Sequence, residues 1–308
     1  MGRTILLALV CLPTACSEPI ALEAQDETPP PGVETLDPYP IDRGDEGPHT
    51  PGAYKGLWLR LADNGRPDVT PVDGVIGVVC VGMSNASQEC GVFLQQAQGA
   101  WAAEISQAVR VVNCAVGGHA IERWIDPAYD ATLWDACIQQ RIPNAGLRAD
   151  QVRVLYHKAA NQFTTTGGSP LPPFPAPGSD YERFLANLSA FAARVAVKFP
   201  AVQAVYTSSR SYGGFANNPG RGEPLSYEEG HALNGWLRDH ARVDGVWHGW
   251  GPYLWAPDCA GGVTNGSGTC YVRADYVEDG VHPSNQGRAK IAGLIHQRLL
   301  AEPWYRRE

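Results

Sequence analysis

The stretch Val75-Ile76-Gly77-Val78-Val79-Cys80-Val81 is apolar throughout, and Gly82-Met83-Ser84-Asn85 follows it directly. A continuous run of this length, rich in β-branched residues, is typical of a strand buried on both faces of a parallel sheet. Further along the chain there are four more strand candidates. They are Val109–Val116, Gln151–His157, Ala201–Thr207 and Gly245–Trp250.

Helix-like segments alternate with these strands. They are Gln88–Gln98, Ala131–Arg141, Tyr181–Phe199, Tyr227–Arg242 and a last one opened by Pro283 and running to Leu300. Strands that alternate with helices predict a three-layer α/β/α domain, in which helices cover both faces of a five-stranded parallel sheet. Ligands of such sheets bind outside the carboxyl ends of the strands, so the residues that follow each strand are the candidates for function.

Length and charge narrow the possible functions. The chain has 308 residues, of which 44% are hydrophobic and 18% charged, and this suits one large domain. Its 24 Lys and Arg against 32 Asp and Glu leave a net charge of -8. That balance excludes a basic surface for nucleic acid and a polybasic membrane patch, and it favours a neutral or small substrate.

The N-terminus predicts export. Arg3 precedes an apolar stretch that is too short to span a bilayer but suits a signal peptide, predicted over residues 1–15. Leu12-Pro13-Thr14-Ala15-Cys16 resembles a bacterial lipobox in which Cys16 is lipidated, although Pro13 stands where such a motif usually has Leu. A freely secreted protein is the alternative. Residues 16–51 are rich in Pro and acids and predict a disordered tether, which leaves 52–308 as the folded domain.

Cysteine usage agrees with an oxidising compartment. Of the eight cysteines, Cys11 leaves with the signal peptide and Cys16 is the lipid anchor, so six remain for disulfides. Only Cys259 with Cys270, which flank a Gly-rich loop, is favoured as a pair. A metal site is the competing interpretation, but no C-x-x-C spacing supports it and no metal is predicted.

Ser84 is a candidate nucleophile. It lies just after the first strand at the start of a helix, where free N–H groups and the helix dipole favour a developing negative charge. The alternative is that Ser84 or Asn85 only caps that helix.

Two further strand ends carry candidate oxyanion donors. The second strand is followed by Gly117-Gly118-His119, where glycines let backbone N–H groups approach a ligand, or simply form a turn. The third is followed by Asn161, whose side-chain amide is either a further donor or an ordinary loop residue.

The segment Asp279-Gly280-Val281-His282 is the most specific motif. Its carboxylate and imidazole are three residues apart in a tight turn before a helix, so Asp279 can orient His282 and stabilise its charged form. The alternative for His282 alone is a surface histidine beside a helix cap. Four such elements in this order, each at a strand end, are much less probable by chance than any one of them.

These four blocks resemble the SGNH hydrolase superfamily, also called GDSL-like esterases, over roughly residues 74–300. The resemblance implies a flavodoxin-like fold with Ser84 as nucleophile, His282 as base and Asp279 as its orienting partner. It also implies an oxyanion hole formed by the Ser84 and Gly118 N–H groups and the Asn161 amide, with Gly117 as the fallback for the glycine. No cofactor is implied, because all of these groups belong to the protein.

Two positions depart from the family pattern. Met83 replaces the Asp that often precedes the nucleophile, and Lys158-Ala159-Ala160-Asn161 replaces the usual Gly-x-Asn-Asp. The Gly-x-Ser-Asn form is more similar to the sialate and carbohydrate O-acetylesterase branch. The segments 82–85, 206–210 and 250–255 are similar to uncharacterised bacterial SGNH-like proteins, and this similarity implies no substrate.

The resemblance implies an extracytoplasmic serine esterase that acts on a small ester or an acylated glycan, for example as a carbohydrate O-acetylesterase. It implies no nucleic-acid partner and no membrane contact beyond the lipid anchor. The alternatives are a non-catalytic carbohydrate-binding surface lipoprotein and a lipase- or thioesterase-like acyl hydrolase. The aromatics of 247–255 form either a sugar platform or, as we favour, core packing. Arg210 is expected to pair with an acid, while His119 and Arg123 are candidates for the pocket mouth.

Overall fold

The structure is a computed structural model that describes residues 61–174, 176–262, 265 and 268–307. The predicted signal peptide, Cys16, the tether over 16–51 and the first residues of the predicted domain lie outside the described residues.

A six-stranded sheet forms the centre of the domain. Its strands are β1 (Ile76–Gly82), β2 (Val109–Asn113), β3 (Val152–Lys158), β6 (Ala204–Ser208), β7 (Arg242–Val243) and β8 (Val246–Trp250), and a separate hairpin pairs β4 (Thr165–Thr166) with β5 (Ser169–Pro170). The sheet order is β2-β1-β3-β6-β8-β7. The first five strands in this order are parallel, and the short β7 is antiparallel to β8. The predicted five-stranded parallel sheet is confirmed, with one antiparallel edge strand added.

Helices cover both faces of this sheet. They are α1 (Ser84–Gln98), α2 (Ile121–Ile125), α3 (Ile142–Asn144), α4 (Asp180–Lys198), α5 (Leu225–Asp239) and α6 (Asn285–Leu300). All seven residues of β1 are buried, and they alternate between two cores. Val79 and Val81 pack in the core that includes residues of α4 and α5, whereas Val78 and Cys80 pack in the core that includes residues of α1 and α6. This alternation explains why the strand is apolar throughout: it faces a helical layer on each side.

Some predicted elements differ from the structure in their bounds or in their helix type. The first helix begins at Ser84 instead of Gln88. The strand predicted over 109–116 ends at Asn113, because the Asn113 side chain accepts the Ala115 N–H at 3.1 Å and turns the chain out of the sheet. The segment 131–141 is helical but consists of two π-helical stretches, Ala131–Asp135 and Cys137–Arg141. Its register is held by the bond of Cys137 to Cys114, a tertiary contact that helix propensity does not encode.

Three disulfides join the six cysteines of the described domain. They are Cys80–Cys90, Cys114–Cys137 and Cys259–Cys270, with Cα–Cα distances of 6.4, 5.4 and 5.0 Å. The third is the pair favoured from the sequence. The first two enclose the segments after β1 and β2, so each one ties a candidate catalytic loop to a neighbouring element.

Among the described residues, no helix is both long enough and apolar enough to cross a bilayer.

We expect the domain to lose stability in mild acid, because burial holds three histidines neutral. It lowers the pKa of His157 and His231 to about 3 and that of His248 to about 4, with smaller contributions from nearby positive charges. These histidines protonate near pH 6.5 when the chain unfolds, so the unfolded state binds more protons below that pH. The contribution of these histidines to the free energy of unfolding should therefore be fully present above about pH 6.5 and fall toward pH 4, by up to about 1.4 kcal/mol per pH unit for each histidine. The buried carboxyls of Asp180 and Glu229, whose pKa values are raised, offset part of this loss.

Guanidinium unfolding at pH 7, 6 and 5 measures this loss. The His157→Phe variant keeps a ring on Phe191, against which the His157 ring stacks at 3.8 Å, and it removes one titrating group. Its stability should depend less steeply on pH than that of the parent. An unfolding midpoint that does not change between pH 7 and pH 5 would show that the buried histidines do not control acid stability.

Candidate active site

Ser84 lies at a sharp turn from β1 into α1. Gly82, the last residue of β1, has φ +136°, and a Cβ on it would lie 2.7 Å from the Lys158 carbonyl oxygen and 2.9 Å from the Ala86 Cβ. Only glycine fits this approach without moving the backbone of β3. The chain then passes through Met83 and enters the helix at Ser84. Gly82 thus allows the chain to turn from β1 into α1 with only Met83 between them, so that Ser84 lies at the helix N-terminus.

The first turn of α1 is uncapped. Met83 occupies the N-cap position and makes no side-chain cap bond, so Ser84 is the first helical residue and is not itself the cap. Within the described residues, no protein acceptor pairs with the Ser84 N–H. A free N–H at a helix N-terminus, supported by the helix dipole, is a suitable donor for an anion that develops beside it.

The histidine loop is held in place by its own glycine. Gly280 has φ +69°, and a Cβ there would lie 1.7 Å from the Phe215 carbonyl oxygen. This tight turn lets Asp279 Oδ1 accept the N–H groups of Val281 at 2.8 Å and of His282 at 2.9 Å. The Asn85 side chain donates to the Val281 carbonyl at 2.9 Å and so ties the loop to α1.

Ser84, His282 and Asp279 form a hydrogen-bonded chain. Ser84 Oγ lies 2.8 Å from His282 Nε2, and His282 Nδ1 lies 2.5 Å from Asp279 Oδ2. Burial would raise the pKa of the Asp279 carboxyl, but the hydrogen bonds from the His282 side chain and from the two backbone N–H groups outweigh it, and the net pKa is lowered. The ionised Asp279 selects the His282 tautomer with its proton on Nδ1. In that tautomer Nε2 is free to accept the Ser84 proton.

The glycine pair, Gly117 and Gly118, lies next to Ser84. A Cβ placed on Gly117 would come within 3.9 Å of the Ser84 Cβ, and Gly118 has φ +76°. Both glycines are exposed, and among the described residues no protein acceptor is recorded for either N–H. The structure thus brings Gly117 to Ser84 and leaves both N–H groups of the pair available.

Asn161 lies in a buried polar network. Its side chain donates to Asp180 Oδ1 at 3.0 Å and accepts from Asn187 at 2.8 Å, and its N–H donates to Glu229 at 2.9 Å. Burial raises the pKa of Asp180 and, more strongly, that of Glu229, although the Arg210 charge opposes the second shift. The preceding Ala160 packs against Met83 and Ala120, which brings this block beside the other two. The structure shows no direct bond between Asn161 and Ser84.

Sequence reasoning missed a buried ion pair between Lys158 and Glu89. Lys158 Nζ lies 2.5 Å from Glu89 Oε1, and both side chains are fully buried. Burial raises the pKa of Glu89 and lowers that of Lys158, and their mutual attraction opposes both shifts. A cavity of about 20 Å³, enough for a single water molecule, lies between this lysine, Met83 and Val281.

The remaining candidates are resolved by burial. Arg210 Nε donates to Glu229 at 2.7 Å, so the expected acid pair is present. Trp250 and Trp255 are buried, at 4% and 1% exposure, and are core residues rather than a sugar platform. His119 and Arg123 are half-buried, and both contact the Tyr129 ring. Across the ranges that the structure describes, no three His, Cys, Asp or Glu side chains form a group that could hold a metal.

No family model and no curated protein matches the chain. Several solved structures do. A catalytic variant of an acetylxylan esterase from Geobacillus stearothermophilus is 14% identical over 75% of this chain and 97% of its own, with a TM-score of 0.43. A family 3 carbohydrate esterase from Clostridium thermocellum is 13% identical over 74% and 96%, with a TM-score of 0.42. A psychrotrophic esterase from Pseudoalteromonas sp. is 9% identical over 72% and 96%, with a TM-score of 0.41.

Proposed function

We propose that this protein is a serine esterase of the SGNH type. The proposal rests on one observation, the hydrogen-bonded chain from Ser84 through His282 to Asp279. A serine hydroxyl alone is a weak nucleophile, and an imidazole oriented by a carboxylate is the arrangement that activates it. The three groups come from two segments almost two hundred residues apart, and each segment contains a turn that only glycine fits, at Gly82 and at Gly280.

The reaction proceeds in two acyl-transfer steps. His282 Nε2 takes the Ser84 proton while Ser84 Oγ forms a bond to the ester carbonyl carbon, which gives a tetrahedral oxyanion. His282 then returns the proton to the leaving alcohol as its C–O bond breaks. Water repeats the sequence on the acyl-enzyme and releases the acid. Asp279 keeps its charge throughout and stabilises the imidazolium.

The oxyanion needs hydrogen-bond donors beside Ser84. We assign this role to the N–H groups of Ser84 and Gly118, with Gly117 as the alternative glycine, and to the Asn161 amide. The amide nitrogen of Asn161 carries two hydrogens, and the bond to the Asp180 carboxylate engages one of them. The same nitrogen also lies 3.4 Å from the Asp180 carbonyl oxygen, and the proposal requires that the second hydrogen leaves this long contact for the oxyanion.

We expect Asn161→Ala to lower kcat by roughly 10²- to 10³-fold, as the loss of one oxyanion donor typically does. The substitution also removes a partner from Asp180 and Asn187, so the unfolding free energy must be measured beside kcat. Asn187→Ala is the matched control, because it breaks the same network and keeps the Asn161 amide. Equal losses of kcat in the two variants would mean that the network is structural and that Asn161 is not a donor.

The substrate that we propose is an acylated carbohydrate with a short acyl group, as for a carbohydrate O-acetylesterase. The Gly-x-Ser-Asn form of the nucleophile block supports this class. The three disulfides suit an oxidising, extracytoplasmic compartment, in agreement with the predicted signal peptide. We propose that Cys16 carries a lipid anchor, with free secretion as the alternative.

Covalent labelling tests the proposal without a known substrate. A fluorophosphonate probe should add to the protein once, and peptide mass spectrometry should place it on Ser84. Hydrolysis of p-nitrophenyl esters of increasing chain length then separates the esterase classes: a preference for acetate supports the deacetylase, and a preference for long chains supports a lipase-like hydrolase. Glycan binding without labelling or turnover would support a carbohydrate-binding surface lipoprotein instead.

A further inference from the structure

Four side chains form a cluster beside the glycine pair: His119, Arg123, Tyr129 and Phe163, called here the rim cluster. The Arg123 guanidinium carbon lies 4.4 Å from the centroid of the Tyr129 ring and 5.0 Å from that of Phe163. The His119 ring meets the Tyr129 ring edge-on, with centroids 5.7 Å apart. One cation thus contacts two aromatic rings, with an imidazole next to them.

The rim cluster is built into the fold. The Glu122 carboxylate accepts the N–H groups of Gln162 at 2.7 Å and Phe163 at 2.9 Å, which fixes the loop that carries the Phe163 ring. His119 Nδ1 bonds to the Gly117 carbonyl at 2.7 Å. The Cys114–Cys137 disulfide closes the segment that supplies the other three members. These restraints hold the cluster in place before any ligand binds, which lowers the ordering cost of binding.

The cluster presents unused recognition groups. Phe163 is 48% exposed, although large rings are mostly buried in soluble proteins. In the part of the chain that the structure describes, the Arg123 guanidinium has ring contacts but no recorded hydrogen bond or carboxylate partner. The neighbouring Glu122 carboxylate accepts backbone N–H groups. Arg210, also near the site, is paired with Glu229. Arg123 is therefore free to pair with a ligand.

The position of the cluster connects it to the reaction. His119 follows the glycine pair, and a Cβ on Gly117 would lie 3.9 Å from the Ser84 Cβ. Phe163 follows Asn161 by two residues. The cluster thus adjoins, along the chain, the two blocks assigned to the oxyanion hole.

We propose that the rim cluster is a substrate subsite for acidic sugars, which binds an acylated sugar carrying a carboxylate. The exposed aromatic ring stacks on the apolar face of the sugar, and the Arg123 guanidinium pairs with the carboxylate. This inference rests on the proposed esterase function and names the class of its substrate. In a chain with net charge -8, an unpaired arginine beside the nucleophile is the local feature that selects an anionic ligand.

Two substrates that differ in one group test the inference: the O-acetylated methyl glycosides of glucuronic acid and of glucose. The protein should have a higher kcat/KM for the acidic sugar, and this preference should weaken as ionic strength rises. Arg123→Gln should reduce the ratio of the two kcat/KM values by about 10- to 100-fold, as expected for the loss of a charge-assisted bond. Arg148→Gln is the control, because Arg148 is an exposed arginine paired with Asp73 and Asp150, and it should not change the ratio.

Binding to the Ser84→Ala protein gives a second readout that does not need turnover. The acetylated glucuronoside should bind more tightly than the glucoside, and the added Arg123→Gln change should remove the difference. If p-nitrophenyl acetate is hydrolysed through Ser84 but both sugars are treated alike, the subsite is wrong and the esterase stands. If no ester is hydrolysed but the binding preference for the acidic sugar is present, the esterase is wrong and the subsite stands.

Discussion

Replacing Ser84 by Ala is expected to lower kcat for ester hydrolysis by on the order of 10⁴- to 10⁶-fold, the range found when a nucleophile of this type is removed. The reason is geometric. Ser84 Oγ is the atom that His282 Nε2 can deprotonate, at 2.8 Å, and the helix N-terminus offers its free N–H beside it. Alanine keeps the helix and the turn but removes the oxygen that forms the acyl bond.

The hydrogen-bonded chain from Ser84 to Asp279 also predicts that the losses of kcat in single variants do not add up in a double variant. His282→Ala should cost about as much as Ser84→Ala, and the double variant should be no slower than either single one, because the pair acts as a unit. Ser87→Ala, one turn further along α1, is the matched control and should retain full activity. Additive losses, or a Ser84→Ala protein that still turns over p-nitrophenyl acetate, would mean that another group performs the chemistry.

The second large effect concerns Asp279. We expect Asp279→Asn to lower kcat by roughly 10⁴-fold with little change in stability. An asparagine at this place can still accept the N–H groups of Val281 and His282 through its oxygen, which turns its NH₂ group toward His282 Nδ1. Nδ1 must then act as an acceptor, so the imidazole carries its proton on Nε2. That proton points at Ser84 Oγ, and the base is lost while the shape of the site is kept.

Measurement of kcat together with guanidinium unfolding separates these two consequences. Asp279→Ala supplies the comparison, because it removes the carboxylate and also the acceptor that holds the loop. It should lose activity and part of the loop stability as well. If Asp279→Asn retains more than about a tenth of kcat, then Asp279 does not set the tautomer of His282.

The sequence blocks were sufficient to locate the hydrogen-bonded chain of Ser84, His282 and Asp279, because the backbone next to Ser84 and Asp279 accepts only glycine. Gly82 and Gly280 have backbone conformations and close contacts that exclude any side chain, and they stand beside Ser84 and Asp279. Local sequence carries such constraints directly. The same blocks did not reveal how Asn161 is held, because its partners Asp180 and Asn187 come from α4.

For the aromatic residues, local sequence did not show which rings are buried and which are exposed. Trp250 and Trp255 stand in the segment that was weighed as a sugar platform, yet both are buried. Phe163 stands alone in the sequence and is nearly half exposed beside Arg123. Composition does not separate the two situations, since whether a ring is covered depends on the elements that pack over it.

The sequence by itself determined the layers of this protein and the order of its catalytic blocks. Continuous apolar runs and the helical segments between them are properties of neighbouring residues, and they do not depend on how the segments pack. Only the tertiary structure decided the two π-helical stretches, the Lys158–Glu89 pair and the rim cluster. The ion pair joins β3 to α1, and in the rim cluster Phe163 contacts Arg123 of α2. Their contacts exist only once parallel strands have brought the loops to one edge of the sheet.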